Sequence, residues 1–279
     1  MKRVALICAL LGAPAARAMP PDYAGFLGGY GCTLAADVLV AAEQGGLDPA
    51  ALRAAVEAYL EQGQARREGV FVVLDAEVCQ IRLPKIDSPW SVSDPEIVAV
   101  TTPIDHFAEE FGEYGCFLTA LGEEFESWHR AGRPDTDFRD YIRFLASGIL
   151  SGEIRFFGPE PFFTPVGFQV MAGECARVPN AAEIARSHTF LTDANFDEYI
   201  RAVGAGTSCD ARMIDPNAAM ITARQQGAAD GSEPAQEINA WQWFEMDFIA
   251  MAAGWRVGMT WREKGQLRPP LCHYEAGLE

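Results

Sequence analysis

The sequence lacks a hydrophobic run long enough to span a bilayer, which takes about 20 consecutive apolar residues. Its N-terminal apolar stretch, Val4–Ala16, is short and is interrupted by Gly12 and Pro14. The mature chain is therefore expected to be soluble, with no membrane insertion.

Basic residues are also scarce. The 279 residues include 22 Lys and Arg against 39 Asp and Glu, which gives a formal net charge of −17. A negative field of this size repels phosphate backbones and anionic lipid. We therefore expect no nucleic-acid partner, and the acidity is typical of a soluble protein.

Closely spaced metal ligands are missing as well. The cysteines form no C-x-x-C pair, and the four histidines show no H-x-H or H-x-x-x-H spacing. Structural zinc sites usually need such close pairs. The sequence predicts no metal and no cofactor, although a site assembled from distant residues stays open.

Two motifs of catalytic or calcium-binding sites are present only in part. The serine of Gly148–Gly152 stands one place too late for a G-x-S-x-G nucleophile elbow. Asp193–Asp197 opens like a calcium loop, but Glu198 and Gly204 occupy the positions that require Gly and Glu. Asn195 followed by Glu198 instead predicts a capped helix start.

What the sequence does contain begins with an export signal. Lys2 and Arg3 precede the apolar stretch, and Ala16–Ala18 supplies the small residues that signal peptidase requires. We expect residues 1–18 to be removed. The mature chain would then begin at Met19 and be periplasmic or secreted.

Six cysteines remain once Cys8 has left with the signal. An even number in an exported chain predicts three disulfides. The predicted pairs are Cys32–Cys79, Cys116–Cys175 and Cys209–Cys272. This pairing follows from an internal repeat, because each bond then lies within one copy.

The repeat is visible where Tyr23–Cys32 aligns without a gap on Phe107–Cys116, with half of the residues identical. After each of these cysteines come two patterns typical of helices and a β-rich stretch that holds a second cysteine. Each repeated unit is therefore predicted to be helix, helix and hairpin. A third, degenerate copy follows in the last part of the chain.

The predicted fold class is α+β, with three tandem helix-helix-β-hairpin units, each stapled by one disulfide. The units are expected over residues 19–86, 107–178 and 195–279, joined by linkers 87–106 and 179–194. The predicted hairpins pair 70–74 with 78–83, and 153–157 with 166–171. The second helices of the first two units are expected to end at Gly63 and Gly148.

Tryptophans are concentrated near the C-terminus, at positions 241, 243, 255 and 261. Trp241 fits the apolar stripe of a predicted helix, whereas Trp243 falls off it. An exposed Trp243 would be a candidate for stacking on a sugar or anchoring a protein partner. Packing in the core is the alternative.

These observations favour an exported, soluble, non-catalytic binding protein of the cell envelope or periplasm. Its partner would be a protein or a glycan that the sequence does not identify. The alternative is a cell-envelope hydrolase with paired carboxylates, which only geometry can select. Such a pair would lie around Glu126 or in a cleft between units, whereas Asp135 and Asp137 favour a helix cap.

Overall fold

Helices, small antiparallel sheets and three disulfides make this an α+β protein. The computed structural model describes residues 21–101, 116–118, 121–157, 167–177, 181–186, 191–209, 244–255 and 267–274. The helices are α1 (Pro21–Gly28), α2 (Ala36–Gln44), α3 (Pro49–Glu61), α4 (Pro95–Ala99), α5 (Leu121–Arg130), α6 (Phe138–Ser151), α7 (Ala181–Arg186), α8 (Asp193–Gly206) and α9 (residues 244–252). The strands are β1 (Thr33–Leu34), β2 (Ala65–Glu68), β3 (Phe71–Leu74), β4 (Ile154–Phe157) and β5 (Gly167–Val170), and a 3₁₀ helix spans Gly173–Arg177.

We call residues 21–83 the first region, 84–101 the connecting segment, 116–177 the second region and 193–274 the third region. Their disulfides are the predicted ones: Cys32–Cys79, Cys116–Cys175 and Cys209–Cys272. Most of the buried apolar residues of the three regions belong to one continuous cluster, and Phe156 forms a separate small one. Among the described residues, no helix is both long and apolar enough to cross a membrane.

Helices α3 and α6 begin at aspartate caps, as predicted. Asp48 directly precedes α3, and its carboxylate accepts a hydrogen bond from the N–H of Ala50 at 2.9 Å. Asp137 and Asp140 form a reciprocal capping box at the start of α6. These contacts satisfy main-chain donors that a helix leaves unpaired in its first turn.

Helix α6 continues beyond Gly148, where the sequence predicts its end. A Cβ atom at position 148 would overlap the side chain of Ile154, so this glycine permits close packing of α6 on β4. The helix ends instead at Gly152, whose φ of 87° is a left-handed conformation that glycine adopts without strain. The predicted end at Gly148 is therefore wrong.

The first sheet has the strand order β1-β3-β2 and is antiparallel throughout. The hairpin turns at Gly69 and Val70, so the predicted pairing of residues 70–74 with 78–83 is wrong. Residues 78–83, all of them described, form no strand. The true partner, β2, carries exposed Arg66 and Arg67 and lacks the alternation of apolar residues by which strands are recognised.

The second sheet pairs β4 with β5, which confirms the predicted strands within one residue at each end. Its third member is the chain beside Cys116, whose carbonyl accepts the N–H of Val170 at 2.8 Å. In the first sheet the carbonyl of Cys32 likewise accepts the N–H of Leu74, at 2.9 Å. Each region therefore pairs the chain at its first cysteine with the second strand of its hairpin.

The third region differs from the first two. Cys209 donates its N–H to the carbonyl of His273 at 2.9 Å, and the bridge there is parallel. Residues 256–266, where the sequence predicts a strand, lie outside the described residues. The arrangement in three equivalent units therefore stays a prediction.

Helix α8 begins two residues earlier than the sequence predicts. The hydroxyl of Thr192 accepts the N–H of Asn195 at 3.2 Å, which makes Thr192 the cap. Asn195 and Glu198 both lie inside the helix. The predicted helix start at Asn195 is therefore corrected to Asp193.

Candidate functional site

The binding candidate from the sequence, Trp243, lies outside the described residues, as do Trp241 and Trp261. Helix α9 is described from residue 244 onwards. Trp255, the fourth tryptophan of that group, is buried and packs against Phe196 with 5.7 Å between the ring centroids. Trp255 is thus a core residue.

Glu126, the candidate acid of the alternative hydrolase, is an exposed residue of α5. Its side chain is 68% exposed and forms an ion pair with Arg130, one turn later, at 3.2 Å. A catalytic acid usually lies in a cleft, where burial and neighbouring charges tune its pKa. The surroundings of Glu126 therefore do not support a catalytic role.

The carboxylates of the calcium-like motif hold α8 against the first region. Asp193 accepts the N–H of Leu83 at 2.9 Å, and Asp197 accepts the N–H of Ile81 at 2.6 Å. Asp197 also accepts from Arg201, which in turn donates to the carbonyl of Cys79 at 2.8 Å. This part of the motif serves tertiary docking.

No group of three or more His, Cys, Asp or Glu side chains able to hold a metal ion occurs among the described residues. His129 is exposed at the end of α5, and a ring nitrogen of His273, Nδ1, lies 2.9 Å from the carbonyl oxygen of Gly204. His106 and His188 lie outside the described residues.

A buried polar cluster beside the second sheet has no counterpart in the sequence analysis. It consists of Arg155 on β4, Gln169 opposite it on β5, and Glu245 on α9. The Glu245 side chain is 0% exposed and accepts the N–H of Phe156 at 2.9 Å. Arg155 donates to the carbonyls of Ile149 at 2.8 Å and Ile154 at 2.6 Å.

Burial raises the pKa of Glu245 to about 7, against the opposing effects of the Arg155 charge and the hydrogen bond from Phe156. The second carboxylate oxygen of Glu245 has no hydrogen-bond partner among the described residues, and neither has the amide of Gln169. A carboxyl group with such a pKa can exchange a proton near neutrality. Because Glu245 has no contact with solvent, we interpret its role as structural. Its carboxylate pairs with the N–H of Phe156 on the outer edge of β4.

The described surface includes a shallow groove between α2 and α3, which we call the α2–α3 groove. Its volume is about 540 Å³. It is lined by Leu39, Val40, Glu43, Pro49, Ala50, Arg53, Ala54 and Glu57. Val40 is 54% exposed there, and Arg53 has no hydrogen-bond or ion-pair partner among the described residues. The groove is therefore a mainly apolar surface that includes one cation with no partner in the described part of the chain.

In the second region, side chains of the connecting segment pack on α5. Trp90 of the connecting segment stacks on Trp128 of α5, with 5.3 Å between centroids and 18° between ring planes. The guanidinium of Arg133 lies 4.6 Å from the Trp90 ring centroid and pairs with Glu96 at 2.7 Å. The predicted linker therefore includes a folded segment that packs on α5.

Sequence reasoning missed both the α2–α3 groove and the packing of Trp90 on α5. The groove depends on small residues, Ala50 and Ala54, which look like ordinary helix formers in the sequence. The one available sequence signal was Val40, an apolar residue beside the buried face of α2. In the structure its side chain is exposed. Comparisons with protein-family models, with curated proteins and with solved structures find no match.

Proposed function

We propose that this chain is an exported, disulfide-stabilised binding protein with no catalytic role. The observation that carries the proposal is the open α2–α3 groove, an apolar surface that includes exposed Val40 and Arg53, which has no partner among the described residues. Ligand sites in proteins are typically concave and mostly apolar, with a small number of polar groups, and the groove has this composition. The carboxylates with catalytic or metal-binding motifs are engaged elsewhere, in caps, docking contacts and a surface ion pair.

We further propose that the chain is organised as three helix-helix-hairpin units over residues 19–86, 107–178 and 195–279. The support comes from the first two regions, where the chain at Cys32 and at Cys116 makes equivalent main-chain contacts. Each predicted unit also contains one complete disulfide. Repeated scaffolds often use surfaces between or along their units for binding.

Export to the periplasm or the extracellular space is the setting that this function requires. Disulfides form and persist in oxidising compartments, and residues 1–18 have the pattern of a cleavable signal. Mass spectrometry of the protein recovered from its native host is expected to show Met19 as the N-terminus. An exported form that retains Met1 would contradict this part of the proposal.

Trp243 stays a second proposed contact, for a sugar or a protein partner. Its replacement by alanine is expected to weaken partner capture and to leave the melting temperature nearly unchanged. A large loss of stability would instead identify Trp243 as a core residue and end this proposal.

Site-specific photo-crosslinking tests the binding function without knowledge of the partner. A photoreactive residue replaces Val40 in the groove or, as a matched control, the equally exposed Val98 on α4. In the native cell envelope we expect a discrete adduct from position 40 and none from position 98. Equal labelling at both positions would contradict a specific site, and release of soluble fragments from purified cell wall would overturn the non-catalytic assignment.

A further inference from the structure

We propose that the Cys116–Cys175 disulfide is a redox-sensitive latch, which an external dithiol opens by attack on the Cys175 sulfur while the rest of the molecule stays folded. The latch is independent of the α2–α3 groove and of what binds there. It follows from the surroundings of the three disulfides, which differ in how closely a thiolate in solution can approach them.

The disulfide of the first region is shielded from solution. Cys32 is 0% exposed and Cys79 is 3% exposed, and both belong to the continuous apolar core. Thiol–disulfide exchange requires a thiolate to reach one of the two bonded sulfur atoms. This bond therefore becomes reactive only when the core around it opens.

Cys175 has the most exposed surroundings of the cysteines in the three bonds. It belongs to the 3₁₀ helix Gly173–Arg177, in which no residue is buried. Cys175 is half-buried, and the other residues of this helix are exposed. A Cβ atom added at Gly173 would meet no described atom within 4 Å. A thiolate in solution can therefore approach Cys175 from the side of this helix.

The half-buried cysteine of the third region, Cys209, is held more firmly. Its N–H donates to the carbonyl of His273 at 2.9 Å, and the N–H of His273 donates to the carbonyl of Thr207 at 2.9 Å. Thr207 and Ser208, which precede Cys209, are half-buried. We therefore expect attack on the Cys209–Cys272 bond to be slower than attack on Cys175.

The exchange takes place in two steps. One thiolate of the dithiol attacks the sulfur of Cys175, a mixed disulfide forms there, and Cys116 leaves as a thiolate. The second thiolate of the dithiol then attacks its own sulfur in the mixed disulfide, and Cys175 leaves as a thiolate. The dithiol is oxidised to a disulfide, the protein bond is reduced by the same two electrons, and the two protons of the dithiol end on the two cysteines. Attack begins at Cys175 because Cys116 is only 2% exposed.

Main-chain hydrogen bonds keep the second sheet together after the disulfide opens. The carbonyl of Cys116 accepts the N–H of Val170 at 2.8 Å, and the N–H of Leu118 donates to the carbonyl of Phe168 at 2.9 Å. The chain beside Cys116 is thus held to β5 without the disulfide. Opening the latch therefore frees the 3₁₀ helix locally, as in other openings below the level of global unfolding.

An exposed ion pair beside Cys175 provides a handle on the site. The side chains of Glu174 and Arg177 are 84% and 74% exposed and pair at 3.0 Å. Because the attacking thiolate is negative, Glu174 repels it and Arg177 attracts it. Glu126 and Arg130 form a similarly exposed pair on α5, at 3.2 Å, and serve as the matched control.

The first test is the order in which dithiothreitol reduces the three bonds of the oxidised mature chain at neutral pH. Samples are quenched with acid, and each bond is followed by peptide mapping. We expect Cys116–Cys175 to open roughly tenfold faster than the other two, at a rate proportional to the dithiothreitol concentration and with little change in far-ultraviolet circular dichroism. Equal rates for all three bonds, or faster opening of another bond, would overturn the proposal.

Glutathione, a monothiol, identifies the sulfur that is attacked. Its reaction stops at the mixed disulfide, which we expect on Cys175 after an acid quench. A glutathione adduct on Cys116 would contradict the assignment of Cys175.

Charge variants test whether attack takes place beside the 3₁₀ helix, once each variant has shown an unchanged melting temperature. At low ionic strength Glu174→Gln should speed the opening of Cys116–Cys175 about twofold and Arg177→Gln should slow it about twofold. Glu126→Gln and Arg130→Gln should leave the rate unchanged. Unchanged rates in both Glu174→Gln and Arg177→Gln, or shifts of the same size in the controls, would overturn Cys175 as the point of attack.

Discussion

The helix pairs of the first and second regions bury the same inner face and differ on the outer one. On α3 the outer positions hold small residues such as Ala50 and Ala54, whereas α6 carries Tyr141 and Phe144. The Phe125 ring lies 5.5 Å from that of Tyr141 and 5.5 Å from that of Trp90, which extends the second core outwards. The outer side chains of α6 are therefore larger than those of α3, and they extend the packed core of the second region.

The outer edges of the two sheets are protected by different means. Strand β2 of the first sheet points Arg66 and Arg67 into solvent, and exposed charge discourages the pairing of a free edge with another chain. Strand β4 of the second sheet is covered, because Glu245 accepts the N–H of Phe156. The first region thus keeps an exposed surface where the second is buried.

The largest effect is expected from removing a disulfide. The bonds Cys32–Cys79 and Cys116–Cys175 close loops with sequence separations of 47 and 59 residues. On the chain-entropy model either double serine variant loses roughly 4 kcal/mol of unfolding free energy. Urea unfolding measures both losses, and a difference above about 1.5 kcal/mol between them would break the equivalence of the two regions.

The next effect is a pH dependence of stability that comes from Glu245 at the edge of β4. Folding raises the pKa of Glu245 from 4.5 to about 7, so the folded state keeps a proton that the unfolded state releases. The contribution of Glu245 to stability should therefore be fully present below pH 4.5 and fall by about 3 kcal/mol as the pH rises to about 7. Thermal unfolding across this range measures the loss.

Glu245→Gln keeps an acceptor for the N–H of Phe156 and removes the titration, so its stability should change much less over the same range. The control is Glu126→Gln, which alters an exposed carboxylate. A parent-like pH dependence in Glu245→Gln would contradict the assignment.

A smaller effect is the difference in stability between losing the packed Trp90 ring and losing the exposed Val40 side chain. Trp90→Ala removes an aromatic ring packed on Phe125 and Trp128 and should cost about 2 kcal/mol of stability. Val40→Ala changes an exposed residue of the open groove and should stay within about 0.5 kcal/mol of the parent. Chemical denaturation distinguishes these values, and equal losses would mean that the first groove is also a structural core.

The smallest effect concerns one arginine from each region, Arg143 on α6 and Arg53 on α3. Arg143→Ala removes a charge-assisted hydrogen bond to Asp87 and should lower stability by about 1 kcal/mol, since the site is partly exposed. Arg53→Ala should leave stability unchanged, because Arg53 has no partner among the described residues. A measurable loss in Arg53→Ala would show that its side chain serves the fold.

Local patterns allowed part of this fold to be predicted from the sequence. The apolar stripe of α6 and the cap at Asp137 are encoded within a few residues, and both are confirmed. The disulfide pairing followed from the alignment of Cys32 with Cys116. Strand β2 was missed because Arg66 and Arg67 hide the periodicity of an edge strand.

The Glu245 cluster, the Trp90 contact and the α2–α3 groove could not be predicted from the sequence, for a different reason. Glu245 meets Phe156 across 89 positions of sequence, and Trp90 meets Asp135 across 45. No local pattern reports such contacts. The α2–α3 groove depends on the small side chains of Ala50 and Ala54, and an alanine in a helix carries no sequence signal of a groove.

The docking of α8 has a consequence for the order in which the chain can complete its fold. The buried residue Ile81 donates its N–H to Asp197, 116 positions later in the sequence. A chain that crosses a membrane from its N-terminus presents Ile81 long before Asp197 arrives, and such distant contacts form late. Under the proposed export, the first region would therefore emerge with Cys32 and Cys79 both present, whereas the partner of the Ile81 N–H lies in the third region.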